Sequence, residues 1–410
     1  MTEYLNPYKV KENLATTPQI TFEVTERCCL NCTYCAYGEL YSDYDQRHDR
    51  QLSYACAIKF LSFIKELWEE GYDTNGKSEI DIGFYGGEPL MNMELIQKVV
   101  EYVESDLSGY GKTFSFSMTT NAIFLPKYMD YLVDKRFKLL ISLDGDKEGN
   151  SYRVFKNGTP AFGEIVKSIE LIKNKYPEYY EKFVDFNAVL NNKNSISGVR
   201  DYITNTFQKV PRLSEISMTG VRKSKQEEFD KIFQKMNESI NSLSSQPSDF
   251  QKHPSYEAVA SYLSMNSPYF FLDYNELLFG KRECKPIPTG TCQPFTKRVF
   301  VTVAGKILPC EKISHQYGLG QVREDGVEID FEKIANTYNN YYNRITKLCS
   351  KCENKGNCLT CIFHNGYLEN CRCNDFATPQ ITGKEKEAAL LFFQQFPEAY
   401  SHIMHNLEVI

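Results

Sequence analysis

The sequence predicts an α/β protein: a parallel sheet of about six βα units, then a cysteine-rich region that folds around metal. Three observations predict it. Short β-type runs alternate with helical segments between residue 18 and about residue 245. The helical segments carry apolar residues at three-to-four spacing, which marks one buried face. The 14 cysteines are uneven, with five in the first 56 residues and nine between Cys284 and Cys373.

The strand runs are QITFEV, EIDIGFY, TFSFSMT, KLLISL, VDFNAVL and EISMTG. The helical segments between them include SYACAIKFLSFIKELWEE, NMELIQKVVEYVESDL and FGEIVKSIELIKNK. Strands alternating with helices make βα units and a parallel sheet. Six units are two short of a full eight-fold barrel, so an open barrel and an open doubly wound sheet both fit. The polar stretch NSLSSQPSDFQKHP reads as a linker or loop. The region from Cys284 is rich in Gly, Asn and Lys, with few long apolar runs. Such a segment builds little core of its own and gains its folding energy from metal. The end of the chain, GKEKEAALLFFQQFPEAYSHIMHNL, reads as a helix broken near Pro397. The expected domains are residues 1–245, a linker at 246–283, a cysteine-rich domain at 284–383 and a C-terminal helix at 384–410.

Composition narrows the function classes. The chain is 42% hydrophobic and 24% charged, ordinary for a globular protein with a real core. A net charge of −6 gives no basic face for nucleic acid. The N-terminal MTEYLNPYKVKENLATTPQ lacks the apolar core of a signal peptide, and no apolar run is long enough to span a bilayer. A cytoplasmic protein with no membrane partner is expected. In a reducing compartment, closely spaced cysteines are metal sites rather than disulfides.

The densest cluster is ERCCLNCTYCAY, directly after the first strand run. Cys28, Cys32 and Cys35 form CxxxCxxC on a loop at the edge where a barrel keeps its active site. Three thiolates hold three irons of a four-iron cluster and leave the fourth iron open to a small molecule. A structural zinc site of Cys29, Cys32 and Cys35 with a distant fourth ligand is the competing reading. Further segments stand at the ends of the next strands: FYGGEPL after the second, TTNA after the third, ISLDG after the fourth, then SYRVFKNG with Arg153. Each alone is an ordinary turn. Together, in this order, they place ligand contacts along one sheet edge.

With these residues the chain resembles the radical S-adenosylmethionine (SAM) enzymes. The resemblance implies a partial (β/α)6 TIM-like barrel with a C-terminal cysteine-rich iron–sulfur (SPASM) domain. It implies that Cys28, Cys32 and Cys35 hold a [4Fe–4S] cluster and that Tyr34 borders the adenine of SAM. Gly86, Gly87, Glu88 and Pro89 match the segment that grips the SAM amino group. Asn121, Ser142, Asp144 and Arg153 look like the ribose and carboxylate contacts. Cys29 stands where relatives often have Asn. In the family, one electron from the cluster cleaves SAM to a 5′-deoxyadenosyl radical that abstracts hydrogen from an unactivated carbon.

The second cysteine region contains Cys292, Gly305-KILP-Cys310, Cys349-x2-Cys352-x5-Cys358-x2-Cys361, Cys371 and Cys373. Paired CxxC knuckles also suit zinc. By resemblance to SPASM domains, Cys292, Cys310, Cys361 and Cys284 serve one auxiliary [4Fe–4S] cluster. Cys349, Cys352 and Cys358 serve another, with Cys371 or Cys373 as its fourth ligand. Three clusters are then expected in all, with Cys56 a buried, inert thiol. Glu311 follows Cys310 where sulfatase-maturing relatives have an acidic base, and a solvated surface glutamate is the plainer reading.

SPASM-bearing relatives mostly modify peptides. The segments ISLDGDKEGNSYRVFKNGTPAF and LPCEKISHQYGLGQV look like those of ribosomal-peptide maturases, which form thioether or carbon–carbon crosslinks. Anaerobic sulfatase maturation is the alternative, and a non-catalytic iron–sulfur or zinc scaffold is the alternative of another class. The resemblance implies a peptide substrate with a leader, and an electron donor such as flavodoxin or ferredoxin. Fewer than twenty residues precede the first strand run, so the leader is expected to bind the catalytic or SPASM surface, the segment near residues 220 to 260, or a separate protein.

Overall fold

Strand β1 (Gln19–Thr25) is buried on both faces from Ile20 onward, the signature of a central strand in a parallel sheet. The computed structural model describes residues 3–74, 78–234, 250, 253, 255–266, 289–354, 358 and 360–406. They divide into two units. One comprises Leu5–Lys235 with Cys292–Asn336; the other comprises Met1–Tyr4, Met236–Thr291 and Thr337–Ile410.

In the first unit β2 (Glu79–Gly86), β3 (Thr113–Thr120), β4 (Lys138–Ser142), β5 (Val184–Leu190) and β6 (Arg212–Glu215) follow β1 in spatial order, each parallel to its neighbour. Helix α1 (Pro7–Ala15) precedes β1, and α2 (Tyr54–Glu69), α3 (Met93–Asp106), α4 (Leu125–Asp134), α5 (Phe162–Lys175), α6 (Pro177–Phe183) and α7 (Ile196–Phe207) lie between the strands. The helical periodicity in the sequence matches α2, α3 and α5. Ser53 caps α2 by accepting the Cys56 N–H, and Ser195 caps α7 through the Gly198 N–H. Ile20, Phe22 and Val24 of β1 are buried with Phe60 and Ile64 of α2, Ile82 and Phe84 of β2, and Val99 of α3. Six parallel strands whose ends β1 and β6 do not pair form a partial, open (β/α)6 barrel of the TIM type.

The sheet continues past β1 on its other side. β7 (Val299–Val301) pairs parallel to β1, and β8 (Lys306–Leu308), β9 (Gly320–Val322) and β10 (Val327–Ile329) add antiparallel strands, ten in all. Gly305 turns β7 into β8 at φ 77°, a conformation that favours glycine.

The sixth strand departs from the run EISMTG. It is Arg212–Glu215, ending where that run begins. The residues beyond are taken up by the loop after β1. Ile216 packs with Tyr34, Leu40 and Tyr41. The Tyr41 hydroxyl donates to the Ser217 carbonyl at 2.8 Å, and the Ser42 N–H donates to the Gly220 carbonyl at 2.9 Å. That loop competes with β5 for the backbone of residues 216–220.

Helix α8 (Gln226–Ile232) closes the barrel segment. The second unit is helical. It holds α9 (Tyr256–Asn266), most of α10 (Phe331–Cys349), the single turn α11 (Tyr367–Asn370), α12 (Pro379–Gln395) and α13 (Pro397–Asn406). Val259, Ala389, Phe392, Phe396, Ala399 and Ile403 form one core cluster, and Ile345, Ile362 and Tyr367 another. The break between α12 and α13 falls at Pro397, where a proline suits only the first turn of a new helix. Cys284 and most of the linker at 246–283 lie outside the described residues. No helix among the described residues is long and apolar enough to cross a membrane.

Candidate functional site

Because β1 to β4 are parallel, the loops after them open on one edge of the sheet. Cys28, Cys32 and Cys35 lie on the loop after β1. Its backbone is fastened to the segment carrying Arg153: the Asn31 N–H donates to Val154 O at 2.7 Å and the Thr33 N–H to Tyr152 O at 3.1 Å. The Leu30 N–H points at the Cys28 sulfur at 3.4 Å. Burial pushes the Cys32 thiol up to about 12, and it raises Cys35 as well. Free thiolates are therefore disfavoured here unless a cation compensates them. Among the described residues, no three His, Cys, Asp or Glu side chains converge as one metal ion requires. Three thiols on one loop, with N–H donors on a sulfur, suit a cluster ligated at separate corners.

The second strand ends at the double glycine. The Gly87 N–H donates to Thr25 O and the Glu88 N–H to Arg27 O, both at 2.8 Å. A Cβ on Gly87 would collide with the Arg27 carbonyl, so only glycine lets the two loops lie this close. Pro89 opens the short turn Pro89–Asn92. Glu88 is buried and turned toward β3. Its carboxylate accepts the Thr120 hydroxyl at 2.6 Å, the Asn121 N–H at 2.8 Å and the Leu90 N–H at 3.2 Å. Burial pushes its carboxyl up to about 7, against the hydrogen bonds that pull it down.

Glu88 thereby positions Asn121. The Asn121 Oδ1 accepts the Ile123 N–H at 3.0 Å, which turns its amide nitrogen toward the sulfurs of Cys28 at 3.7 Å and Cys29 at 3.5 Å. Cys29 sits against the same amide as Cys28. The sequence motif identified Asn121 as a site residue; its contact with the sulfurs was not legible there.

Ser142 is the buried last residue of β4. Asp144, two residues on, is fully buried. It accepts Arg153 Nε at 3.0 Å, Arg153 Nη2 at 2.9 Å and the Val189 N–H at 2.9 Å. The Tyr34 hydroxyl also donates to it. Arg153 stacks 5.5 Å from the Tyr34 ring centroid. Tyr34, Asp144 and Arg153 are thus one buried, charge-assisted unit. Burial raises the Tyr34 phenol well above its usual range. Asn150 Oδ1 accepts the Asp144 N–H at 3.1 Å and Asn194 Nδ2 donates to its carbonyl at 2.9 Å. No motif flagged these two asparagines.

Glu311 is in the first unit. Arg298 Nη1 donates to it at 2.6 Å, and the Cys310 thiol lies 3.4 Å from its other oxygen. Glu311 is half-buried rather than a solvated surface group. Although burial opposes it, Arg298 leaves its carboxyl below the usual range. Arg298 carried no sequence signal. Cys292 is exposed, and Cys56 is half-buried in the first turn of α2.

In the second unit Cys349, Cys352, Cys358 and Cys373 share one neighbourhood. Burial and the nearby Cys358, Cys373 and Cys352 push the Cys349 thiol up to about 11. The Cys352 N–H donates to Cys349 O at 3.1 Å, and its sulfur accepts the Ala377 N–H at 3.3 Å. Cys371 is exposed, adopts a left-handed φ of 54° and has Arg344 Nη2 3.6 Å from its sulfur. Cys361 is half-buried in this unit, its carbonyl accepting the His364 N–H at 2.9 Å.

Residues 22–195 match the model of the Radical SAM superfamily. This segment is a radical SAM domain. The domain is similar to the radical SAM cyclopropyl synthase TigE of Paramaledivibacter caminithermalis, 26% identical over 207 residues, 49% of this chain and 40% of TigE. It is also similar to the uncharacterized protein MJ0907 of Methanocaldococcus jannaschii, 27% identical over 181 residues, 41% of this chain and 57% of that protein. The matched region spans less than two thirds of either relative. Among solved structures, native anSMEcpe with bound AdoMet shares the fold, with a TM-score of 0.61 and 18% identity over 95% of this chain and all of that one. The same protein with AdoMet and the Kp18Cys peptide superposes with a TM-score of 0.60.

Proposed function

We propose that this chain is a radical SAM peptide maturase. It abstracts a hydrogen from a ribosomally made peptide and forms a thioether or carbon–carbon crosslink. The observation that carries the reading is the meeting, on one sheet edge, of Cys28, Cys32 and Cys35, the Gly86–Pro89 turn, Asn121 and the Tyr34–Asp144–Arg153 unit. A four-iron cluster with an open corner supplies the electron that cleaves SAM when both are bound. The chain's own residues do the rest. Cys28, Cys32 and Cys35 hold three corners. Asn121 donates toward the Cys28 sulfur. The glycine turn leaves backbone free for the SAM amino group, and Ser142 and the Arg153 side line the ribose and carboxylate.

Glu311, held ionised beside Arg298, is suited to accept a proton from the substrate. In the SPASM reading, Cys349, Cys352, Cys358 and Cys373 hold one auxiliary cluster, leaving Cys371 over. Cys292, Cys310, Cys361 and Cys284 are the ligands proposed for the other. Bound there, such clusters would supply an acceptor for the electron left on the substrate, and a flavodoxin or ferredoxin would supply the first electron. The peptide substrate is supported by anSMEcpe, a chain of the same fold that binds both AdoMet and a peptide. The half-buried, ionised Glu311 beside Cys310 equally favours the second reading, oxidation of a sulfatase side chain.

The test is anaerobic reconstitution with iron and sulfide counts, followed by SAM binding and cleavage. About twelve irons per chain, falling to about eight in a Cys28/Cys32/Cys35 triple Ala variant, support three clusters. A protein that binds no SAM is a scaffold, and the proposal fails. Turnover of a precursor peptide against a sulfatase peptide separates the two enzymatic readings.

A further inference from the structure

Among the buried polar atoms of the first unit that find no hydrogen-bond partner in the chain are Tyr37 Oη, Arg47 Nε and His315 Nε2; Tyr131 Oη and Asn150 Nδ2 are others. The Tyr37, Arg47 and His315 side chains all line one small cavity, and neither Tyr131 nor Asn150 lines it. Chance orphans scatter, whereas a bound ligand collects them. The cavity leaves about 10 Å³ for the centre of a water molecule, the room that one water needs.

The walls are rigid. His315 is 6% exposed, and its Nδ1 lies 3.2 Å from both the Asp45 N–H nitrogen and an Asp45 carboxylate oxygen. Its other nitrogen is therefore aimed into the cavity. The Arg47 guanidinium lies 3.5 Å from the Tyr37 ring centroid, with Nη1 on Glu26 O at 2.9 Å and Nη2 on Glu23 at 2.8 Å. Of its three nitrogens, Nε is the one without a partner. Tyr37 packs edge-on to Tyr44 at 4.9 Å, which fixes the ring that carries its hydroxyl.

The lining selects the ligand. Glu23 and Glu26 on the wall repel an anion, and Arg47 and Arg50 repel a cation. A neutral molecule that both donates and accepts suits a guanidinium N–H, a phenol and an imidazole in either tautomer. We propose that Tyr37, Arg47 and His315 bind a single structural water. Tyr37 and Arg47 lie on the segment after Cys35, and His315 lies five residues after Cys310. The water therefore ties the loop of the first three cysteines to the segment that carries Cys310 and Glu311. This holds whatever reaction the site performs.

A crystal structure of the reconstituted protein, at a resolution that shows ordered water, tests it. The expected result is one spherical peak within hydrogen-bond distance of all three atoms. An empty cavity overturns the proposal, as does a peak that bromide soaking replaces with an anomalous signal. In solution, Tyr37→Phe separates the cases by sign. With water present, the variant loses a hydrogen bond and its Tm falls; with a dry cavity, it sheds an unsatisfied buried hydroxyl and its Tm rises, which overturns the proposal. Should that variant fail to fold, the wild-type density decides alone.

Discussion

Asp144→Leu is the sharpest perturbation of the candidate site. Asp144 is fully buried and holds the Arg153 guanidinium by two hydrogen bonds of 3.0 and 2.9 Å. It also accepts the Val189 N–H at 2.9 Å and the Tyr34 hydroxyl. Removing it leaves a cation, an N–H and a hydroxyl buried without that partner. Breaking one side of such a pair costs about 3–5 kcal/mol, because the surviving charge stays out of water. Removing both charges together costs much less, so Asp144→Leu with Arg153→Met is expected to recover about 2 kcal/mol or more of the sum of the single losses. Urea unfolding followed by Trp68 fluorescence reads this directly. Trp68 is the sole tryptophan, lies in the same unit and donates its indole N–H to Ala15 O at 2.8 Å. A single-variant loss below about 1 kcal/mol, or strictly additive losses, refutes a buried and interdependent pair.

Three other outcomes follow from the geometry. Glu88 has a folded-state carboxyl near 7, above its ordinary 4.5, so the folded state binds its proton more tightly. Its contribution is present below about pH 4.5 and is lost as pH rises through about 7, on the order of 3 kcal/mol; Glu88→Gln flattens that slope in urea midpoints taken across the window. Asn121→Ala removes an N–H donor from the Cys28 sulfur and moves the first cluster's potential to more negative values in an EPR-monitored redox titration; an unchanged potential rejects the contact. Cys373→Ala lowers the iron count by about four after reconstitution while Cys371→Ala leaves it unchanged, and the reverse pattern would reassign the fourth ligand.

The sequence by itself determined what depends on local pattern. Alternating strand runs and three-to-four helical spacing specified five of the six barrel strands and the helices α2, α3 and α5, because one side-chain period needs only a few neighbours to declare itself. Parallel order then brought Cys28–Cys35, Gly86–Pro89, Asn121 and Asp144 to one edge, since every βα unit delivers its loop to the same end. The sixth strand was misplaced because its polar residues carry little period, and because Ile216 is drawn away by a loop 176 residues distant in the chain, through the Tyr41 to Ser217 bond. Strands β7 to β10 have three residues each, too few to show a period, and exist by pairing beyond β1. The pairing of Arg153 with Asp144, the turn of Glu88 toward Thr120 and Asn121, the Arg298 clamp on Glu311 and the nearness of Cys373 to Cys349 were decided only by tertiary structure. Each depends on which side chains lose water together, and burial is a property of the folded whole rather than of any segment.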